Sequence, residues 1–269
     1  VNSMVFAREQ APEFFKMLAH EIRWRLLQLL ARSDYSGQEL VRLLSQPQNL
    51  VSYHLRLLAE HHLVKERRSS ADERSIYYSL DLETLRTLYF GAGNMLHPLL
   101  ATSETEEILA RETVARLAPL RVLFLCTHNS ARSQMAEGIL RHLGAGRIEV
   151  ISAGNYPTTL HPLAVQACAS MHIDIRQQRA KHLDELHGLT FDYIITVCDR
   201  VRESCPTWPS DPDRLHWSLP DPTQAQGTEQ ERVAIFEQTC RELLIRIRSL
   251  LIRIEQEHTA YTEEGSSCL

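Results

Sequence analysis

The chain has 269 residues, 43% of them hydrophobic and 23% charged, with a formal net charge of −5. That balance suits a globular protein of two modest domains, and it excludes nucleic-acid binding through the overall field; any such contact must come from a local basic face. No apolar run approaches a membrane span, and the opening residues VNSMVFAREQ lack a signal peptide's basic and apolar regions. A soluble, cytoplasmic protein with no membrane contact is therefore expected. The six cysteines, Cys126, Cys168, Cys198, Cys205, Cys240 and Cys268, leave the first 125 residues without a thiol. In a reducing compartment they serve redox chemistry or metal binding rather than cross-linking.

Phe14, Phe15, Met17 and Leu18, then Ile22, Leu26, Leu27, Leu29 and Leu30, recur at helical spacing and predict two helices over residues 12–32. Tyr35-Ser36-Gly37 breaks the pattern, with Ser36 placed to cap a helix over 38–44. Ser45 to Asn49 is a tight turn. The helix from Leu50 to Glu60 sets Leu50, Leu55 and Leu58 against a polar face of Gln48, Asn49, Ser52, Tyr53 and Arg56. Helix, short turn and helix with a polar second face is the helix-turn-helix layout. Val64 to Arg68 and Ser75 to Leu80 read as two strands joined by the polar tip Ser69 to Arg74, a β-wing carrying Arg67, Arg68 and Arg74. Each polar residue taken singly fits a solvated helix face equally well.

The runs LAHEIRWRLLQLL, SYHLRLL and IYYSL, in this order over residues 12–90, resemble the ArsR-type family of dimeric winged-helix repressors. The resemblance implies an α+β, mostly helical, winged domain over 1–98 that binds a double-stranded DNA operator as a homodimer. The helix from Leu50 would enter the major groove with Gln48, Asn49, Ser52, Tyr53, His54 and Arg56 as contacts, and Arg67, Arg68 and Arg74 would meet phosphates or the minor groove. Many sensors of that family carry a cysteine pair before the recognition helix. Here Ser36-Gly37-Gln38-Glu39-Leu40 has none, so arsenite is not sensed there and no metal site is expected. His61 and His62 are read as surface residues ending the helix.

Asp81 to about Leu99 predicts a further helix, which the resemblance makes a dimerisation helix. Residues 99–118 form a linker, acidic from Glu104 to Glu107, with a helical stretch over Ile108–Leu117. From 119 to 257 strands alternate with helices. The strands are Val122–Cys126, Arg147–Ile151, Phe191–Val197 and Leu215–Ser218. The helices are Ser133–Leu143, Pro162–Met171, Leu183–Leu189 and Glu229–Ile254. This alternation predicts an α/β domain of three layers around a four-stranded parallel sheet, with its chemistry beyond the strands' C-terminal ends. Residues 258–269 read as a disordered tail.

Cys126, Cys198 and Asp221 all fall at such strand ends. Between the first strand and its helix run Cys126, Thr127, His128, Asn129, Ser130, Ala131, Arg132 and Ser133. The amides of such a loop can curl round a tetrahedral anion, and the Arg132 guanidinium can grip two of its oxygens. The same positive field favours Cys126 as a thiolate nucleophile.

The run LFLCTHNSARSQMAEG, with Cys198-Asp199 and Cys205-Pro206 downstream, resembles the low-molecular-weight phosphatase fold and, more narrowly, the thioredoxin-coupled arsenate reductases built on it. The resemblance implies the following relay. Cys126 attacks arsenate held by the loop and Arg132, while Asp221 protonates the departing oxygen and Ser133 supports the thiolate. Cys198 then attacks Cys126 and releases arsenite, and Cys205 resolves to a Cys198–Cys205 disulfide that thioredoxin reduces. No tightly bound cofactor is needed. Asn129, Glu137 and Ser152 match part of a monovalent-cation site seen in some relatives, without a clearly placed remaining acidic ligand. Asn129 is expected to hold the loop's shape. Two phosphatase features are missing, since Thr223-Gln224 stand where tyrosines are expected and Ala131 replaces a second loop cysteine. Cys168 and Cys240 are expected to be buried hydrophobes, and Cys268 an exposed thiol in the tail. Two alternatives stay open: a phosphatase using Cys126, Arg132 and Asp221 alone, and a non-catalytic sensor of oxyanion or arsenic that controls the repressor.

Overall fold

The computed structural model describes residues 13–72, 74–96, 120–144, 146–204 and 212–266. The expected linker, with its helix over 108–117, and Cys205 and Cys268 lie outside the described residues. Two compact units emerge. The first comprises residues 13–31, 35–67 and 76–96, and the second takes residues 32–34, 68–72 and 74–75 together with everything described from 120 onward.

In the first unit the order is α1 (Glu13–Leu18), α2 (Glu21–Arg32), β1 (Tyr35–Ser36), α3 (Gly37–Leu44), α4 (Gln48–Glu60), β2 (Val64–Arg68), β3 (Ile76–Leu80) and α5 (Leu82–Leu96). Ser36 caps α3 in a full capping box with Glu39, satisfying amides that the first helical turn would leave orphaned. Ser45, left-handed at φ 52°, ends α3, and α4 begins at Gln48, two residues earlier than its apolar spacing suggests. Leu26, Leu30, Leu40, Leu44, Val51, Leu55, Leu58 and Leu63 form the core. The strands make a small sheet in the order β1-β3-β2, with Tyr35 and Ser36 antiparallel to Tyr78 and Tyr77.

In the second unit β4 (Leu120–Cys126), α6 (Arg132–Gly144), β5 (Ile148–Gly154), α7 (Pro162–Ala169), β6 (Tyr193–Thr196), α8 (Asp199–Ser204), β7 (Asp213–His216) and α9 (Glu229–Ser266) follow in turn. The four strands form one sheet in the order β5-β4-β6-β7, with every neighbouring pair parallel. Strand β4 is buried at every residue but Arg121, as a central parallel strand must be. The chain passes from β4 to β5 on one side and returns to β6 on the other. The crevice beyond the C-terminal end of β4 is thus the topological switch point, where Cys126 stands. Phe124, Met135, Ile139, Ile195, Phe236, Leu243 and Ile247 fill the core. Cys168 and Cys240 are buried in it with sulfurs 3.5 Å apart, and their mutual hydrogen bond and burial push the Cys168 thiol up.

Two expectations are corrected and one element is added. The stretch over Leu183–Leu189 is a single 3-10 turn, Leu183–Leu186, capped by His182. The expected disordered tail instead continues α9 to Ser266, since the run from Glu255 to Glu264 contains no proline or glycine to stop a helix. Helix α8, the six residues between Cys198 and Cys205, was not expected at all. Among the described residues no helix is long and apolar enough to cross a membrane.

Candidate active site

The loop from Cys126 to Arg132 joins β4 to α6. Its carbonyls are turned outward: Thr127 O accepts from Tyr156 N (2.9 Å), His128 O from Thr158 N (2.9 Å), Ser130 O from His161 N (2.9 Å) and Asn129 O from Gln134 Nε2 (3.0 Å). In a trans peptide the N–H points opposite to its carbonyl. The amides of His128, Asn129, Ser130 and Ala131 therefore face the inside of the loop, and Asn129 N, which donates to Cys126 Sγ at 3.2 Å, shows that direction. Inward amides followed by the N-terminus of α6 form an anion cradle.

Asn129 makes this curl possible. It is left-handed at φ 45° and wholly buried, and all four hydrogen-bonding positions of its amide are filled. Its Nδ2 donates to Ser133 Oγ and Ser152 Oγ, both at 2.8 Å, while its Oδ1 accepts from Lys181 N (2.8 Å) and Gln134 Nε2 (3.1 Å). Ser133 Oγ accepts from Asn129 Nδ2 and lies 2.9 Å from Cys126 Sγ, where its proton can be donated to a thiolate.

Arg132 Nη1 donates to Leu219 O (2.9 Å) and its Nη2 pairs with Asp221 Oδ2 (2.9 Å). Asp221 caps a 3-10 turn at Pro222–Gln224, where its Oδ1 accepts from Thr223 N (3.1 Å) and Thr223 Oγ1 (2.9 Å). The threonine that stands in place of an expected tyrosine thus orients the acid. Cys198, at the end of the β6 segment, is buried with Sγ 3.3 Å from Thr127 Oγ1. Burial pushes its thiol up against the opposing pull of the Arg132 charge, so it rests protonated.

The structure therefore brings Cys126, Thr127, Asn129, Ser133, Arg132, Asp221 and Cys198 to one place. Cys205 lies outside the described residues. Residue-type reasoning missed three supports: Gln134, Lys181, and the buried Asp199. Asp199 Oδ1 accepts from His216 Nε2 (3.1 Å) and Ser218 Oγ (2.8 Å), and its Oδ2 accepts from Ser70 N (2.8 Å) and Ser70 Oγ (3.2 Å), all within the second unit. A carboxylate only accepts, so Nε2 carries the proton of His216, whose pKa burial lowers.

The implied monovalent-cation site does not fit. The Asn129 and Ser152 oxygens already face N–H or O–H partners, and Glu137 carries two cations of the chain itself, Lys181 (Nζ to Oε2, 3.2 Å) and Arg141.

Gln48, Asn49, Ser52, Tyr53 and Arg56 are exposed along α4 and Arg67 is half-buried, all in the first unit, while Arg68 and Arg74, which belong to the second unit, are exposed. His54 is corrected: it is 3% exposed and packs its ring 4.3 Å from that of His20, so it faces the core rather than DNA.

Residues 121–260 match the family model described as low molecular weight phosphotyrosine protein phosphatase. The arsenate reductase of Shouchella clausii is 40% identical over 129 residues, covering 47% of this chain and 91% of that protein. The glutaredoxin arsenate reductase of Synechocystis is 30% identical over 134 residues, covering 50% of this chain and 98% of the relative. A solved structure described as an arsenate reductase in the phosphate binding state is 28% identical, covers 50% of this chain and 98% of its own, and has a TM-score of 0.41.

Proposed function

The chain belongs, through residues 121–260, to the low molecular weight phosphotyrosine protein phosphatase family, and from that premise we propose that its second unit is an arsenate reductase working by a thiol relay. The observation that carries this reading is a second buried thiol, Cys198, held beside the anion loop by Thr127. Phosphate ester hydrolysis has no use for it.

In the relay the Cys126 thiolate attacks the arsenic of arsenate bound by the loop amides and Arg132. A hydroxide leaves as water with the proton of Asp221. Cys198 then attacks Cys126 Sγ. The S–As bond breaks with its electron pair kept on arsenic, which leaves as arsenite, and Cys126–Cys198 becomes the disulfide. Cys205 attacks Cys198, frees Cys126, and a dithiol such as thioredoxin reduces the resulting pair. The Synechocystis relative is named a glutaredoxin arsenate reductase, so both donors belong in the assay.

In Cys198→Ser, continuous arsenate turnover falls by more than about a hundredfold while aryl-phosphate hydrolysis, which needs only Cys126, Arg132 and Asp221, persists. Coupled NADPH oxidation and p-nitrophenyl phosphate cleavage, run side by side, separate the reductase from the phosphatase. Unchanged arsenate turnover removes the relay.

For the first unit we propose a winged helix-turn-helix that binds operator DNA as a homodimer. The reading is supported by the three-residue turn between α3 and α4, the exposed polar face of α4 and the arginine-bearing β2–β3 hairpin. Exposed Leu88, Tyr89 and Met95 on α5 supply an apolar surface for the second copy. Arg56→Ala is expected to weaken binding to a duplex selected from a random library by about tenfold, the effect of one base-reading arginine. Fluorescence anisotropy measures it, and salt-independent binding or none at all rejects the reading.

A second reading, an oxyanion or arsenic sensor controlling the repressor, is favoured by the cysteine-free stretch Ser36 to Leu40, since an inducer must then be read elsewhere in the chain. On that reading arsenate or diamide changes duplex affinity in the wild type and leaves Cys126→Ser unaffected.

A further inference from the structure

We propose that Lys181 is a built-in counter-cation behind the anion loop, standing where a solvent-derived monovalent cation would otherwise neutralise Glu137. Glu137 sits on α6 with its side chain 3% exposed. A carboxylate so deeply buried is unfavourable unless cations and donors surround it. Lys181 Nζ meets its Oε2 at 3.2 Å and also donates to Arg179 O at 3.1 Å, and its side chain is only 14% exposed. Ser152 Oγ donates to the same carboxylate oxygen, and Arg141, half-exposed, holds the other.

The position of this ammonium is fixed through the backbone. Lys181 N donates to Asn129 Oδ1 (2.8 Å), and Lys181 O accepts from Gly154 N (3.0 Å), so the residue is clamped between the loop and the end of β5. From Glu137 the hydrogen bonds run through Ser152, Asn129 and Ser133 to Cys126 Sγ. Without the ammonium, the Glu137 charge would draw Ser152 and Asn129 toward itself and loosen the loop. A bound metal ion would do the same work only while salt kept its site filled. A lysine does not dissociate, so the loop stays ordered at any potassium concentration. Lys181 is thus a positioning residue that acts through Glu137 and Asn129. The inference rests on the anion loop alone, and its readout is phosphate binding, which stands or falls separately from arsenate chemistry.

The experiment measures inorganic phosphate binding to the full chain by calorimetry in potassium, sodium and choline chloride at equal ionic strength. For the wild type the same affinity is expected in all three salts, and a potassium requirement overturns the proposal. In choline chloride, Lys181→Ala is expected to bind phosphate several-fold more weakly, with recovery on adding potassium or methylammonium, either of which can enter the vacated place beside Glu137 and Arg179 O. Lys181→Arg is expected to behave like the wild type in every salt. Wild-type affinity of Lys181→Ala in choline, or a loss that neither cation restores, also overturns it, because a merely structural lysine would not be replaced by a small cation. Should Lys181→Ala fail to fold, the wild-type salt series and Lys181→Arg still decide.

Discussion

Arsenate turnover is expected to disappear in Cys126→Ser, falling at least about a thousandfold, and to drop about a hundredfold in Arg132→Lys, with the fold kept in both. Serine at 126 fills nearly the same volume and can keep the hydrogen bonds from Ser133 and Asn129 N. What it lacks is a sulfur nucleophile that can end in a disulfide, so both halves of the relay stop. Arg132 asks a different question. Its two nitrogens are held apart by Leu219 O and Asp221 Oδ2, which sets the guanidinium plane at the mouth of the loop before any anion arrives. A lysine can satisfy one of those partners as a point charge and cannot present a planar fork to two oxygens. The loss in Arg132→Lys should therefore appear in phosphate affinity as well as in turnover, whereas Cys126→Ser should still bind phosphate. Arsenate-dependent NADPH oxidation beside phosphate calorimetry separates the two. Equal phosphate affinity in wild type and Arg132→Lys would reject the grip assigned to Arg132.

The parts of this site legible in the sequence are those that are local. The apolar run into Cys126, the loop and the start of α6 form one uninterrupted segment, so strand, cradle and arginine could be read together. The supports that make the cradle stand come from far along the chain and carry no local signal. Lys181 reaches Asn129 across 52 positions and Gln134 binds Arg179 O across 45. Nothing in a lysine flanked by Ala180 and His182 marks it as the partner of a buried glutamate. Short elements were illegible for a related reason. Tyr35–Ser36 is a strand only because Tyr77 and Tyr78 pair with it, and α8 is too short for periodicity to show. His54 is the instructive misreading. The family resemblance offered it as a DNA contact, yet Val51, His54, Leu55 and Leu58 follow the spacing of the inner face, and that phase outweighs the resemblance.

Gly154→Ala is expected to disable the anion loop without touching any group that reacts. Gly154 ends β5 opposite Cys126 in the parallel register. A Cβ there would stand 2.6 Å from Cys126 O, 2.7 Å from Thr127 O and 2.9 Å from Asn129 N, and all three are backbone atoms of the loop. A flexible side chain could swing away from such a contact, but this backbone cannot. The carbonyl of Thr127 is bound by Tyr156 N, and Asn129 is held through its side chain on four sides. Strand β5 cannot retreat either, because Gly154 N is bonded to Lys181 O. One partner set must break, and overpacking of this kind costs about 1–3 kcal/mol. The expected result is a lower melting temperature together with at least about a tenfold loss of phosphate affinity, since each displaced amide weakens a charge-assisted hydrogen bond to the anion. Gly91→Ala is the control: it lies in α5 with nothing within 4 Å of the added carbon, so it should leave both phosphate binding and stability intact or slightly raise the latter. Thermal melts and phosphate calorimetry on the two variants make the comparison. If Gly154→Ala binds phosphate as the wild type does, the loop is more yielding than its hydrogen bonds imply, and the close approach of β5 is not what shapes the cradle.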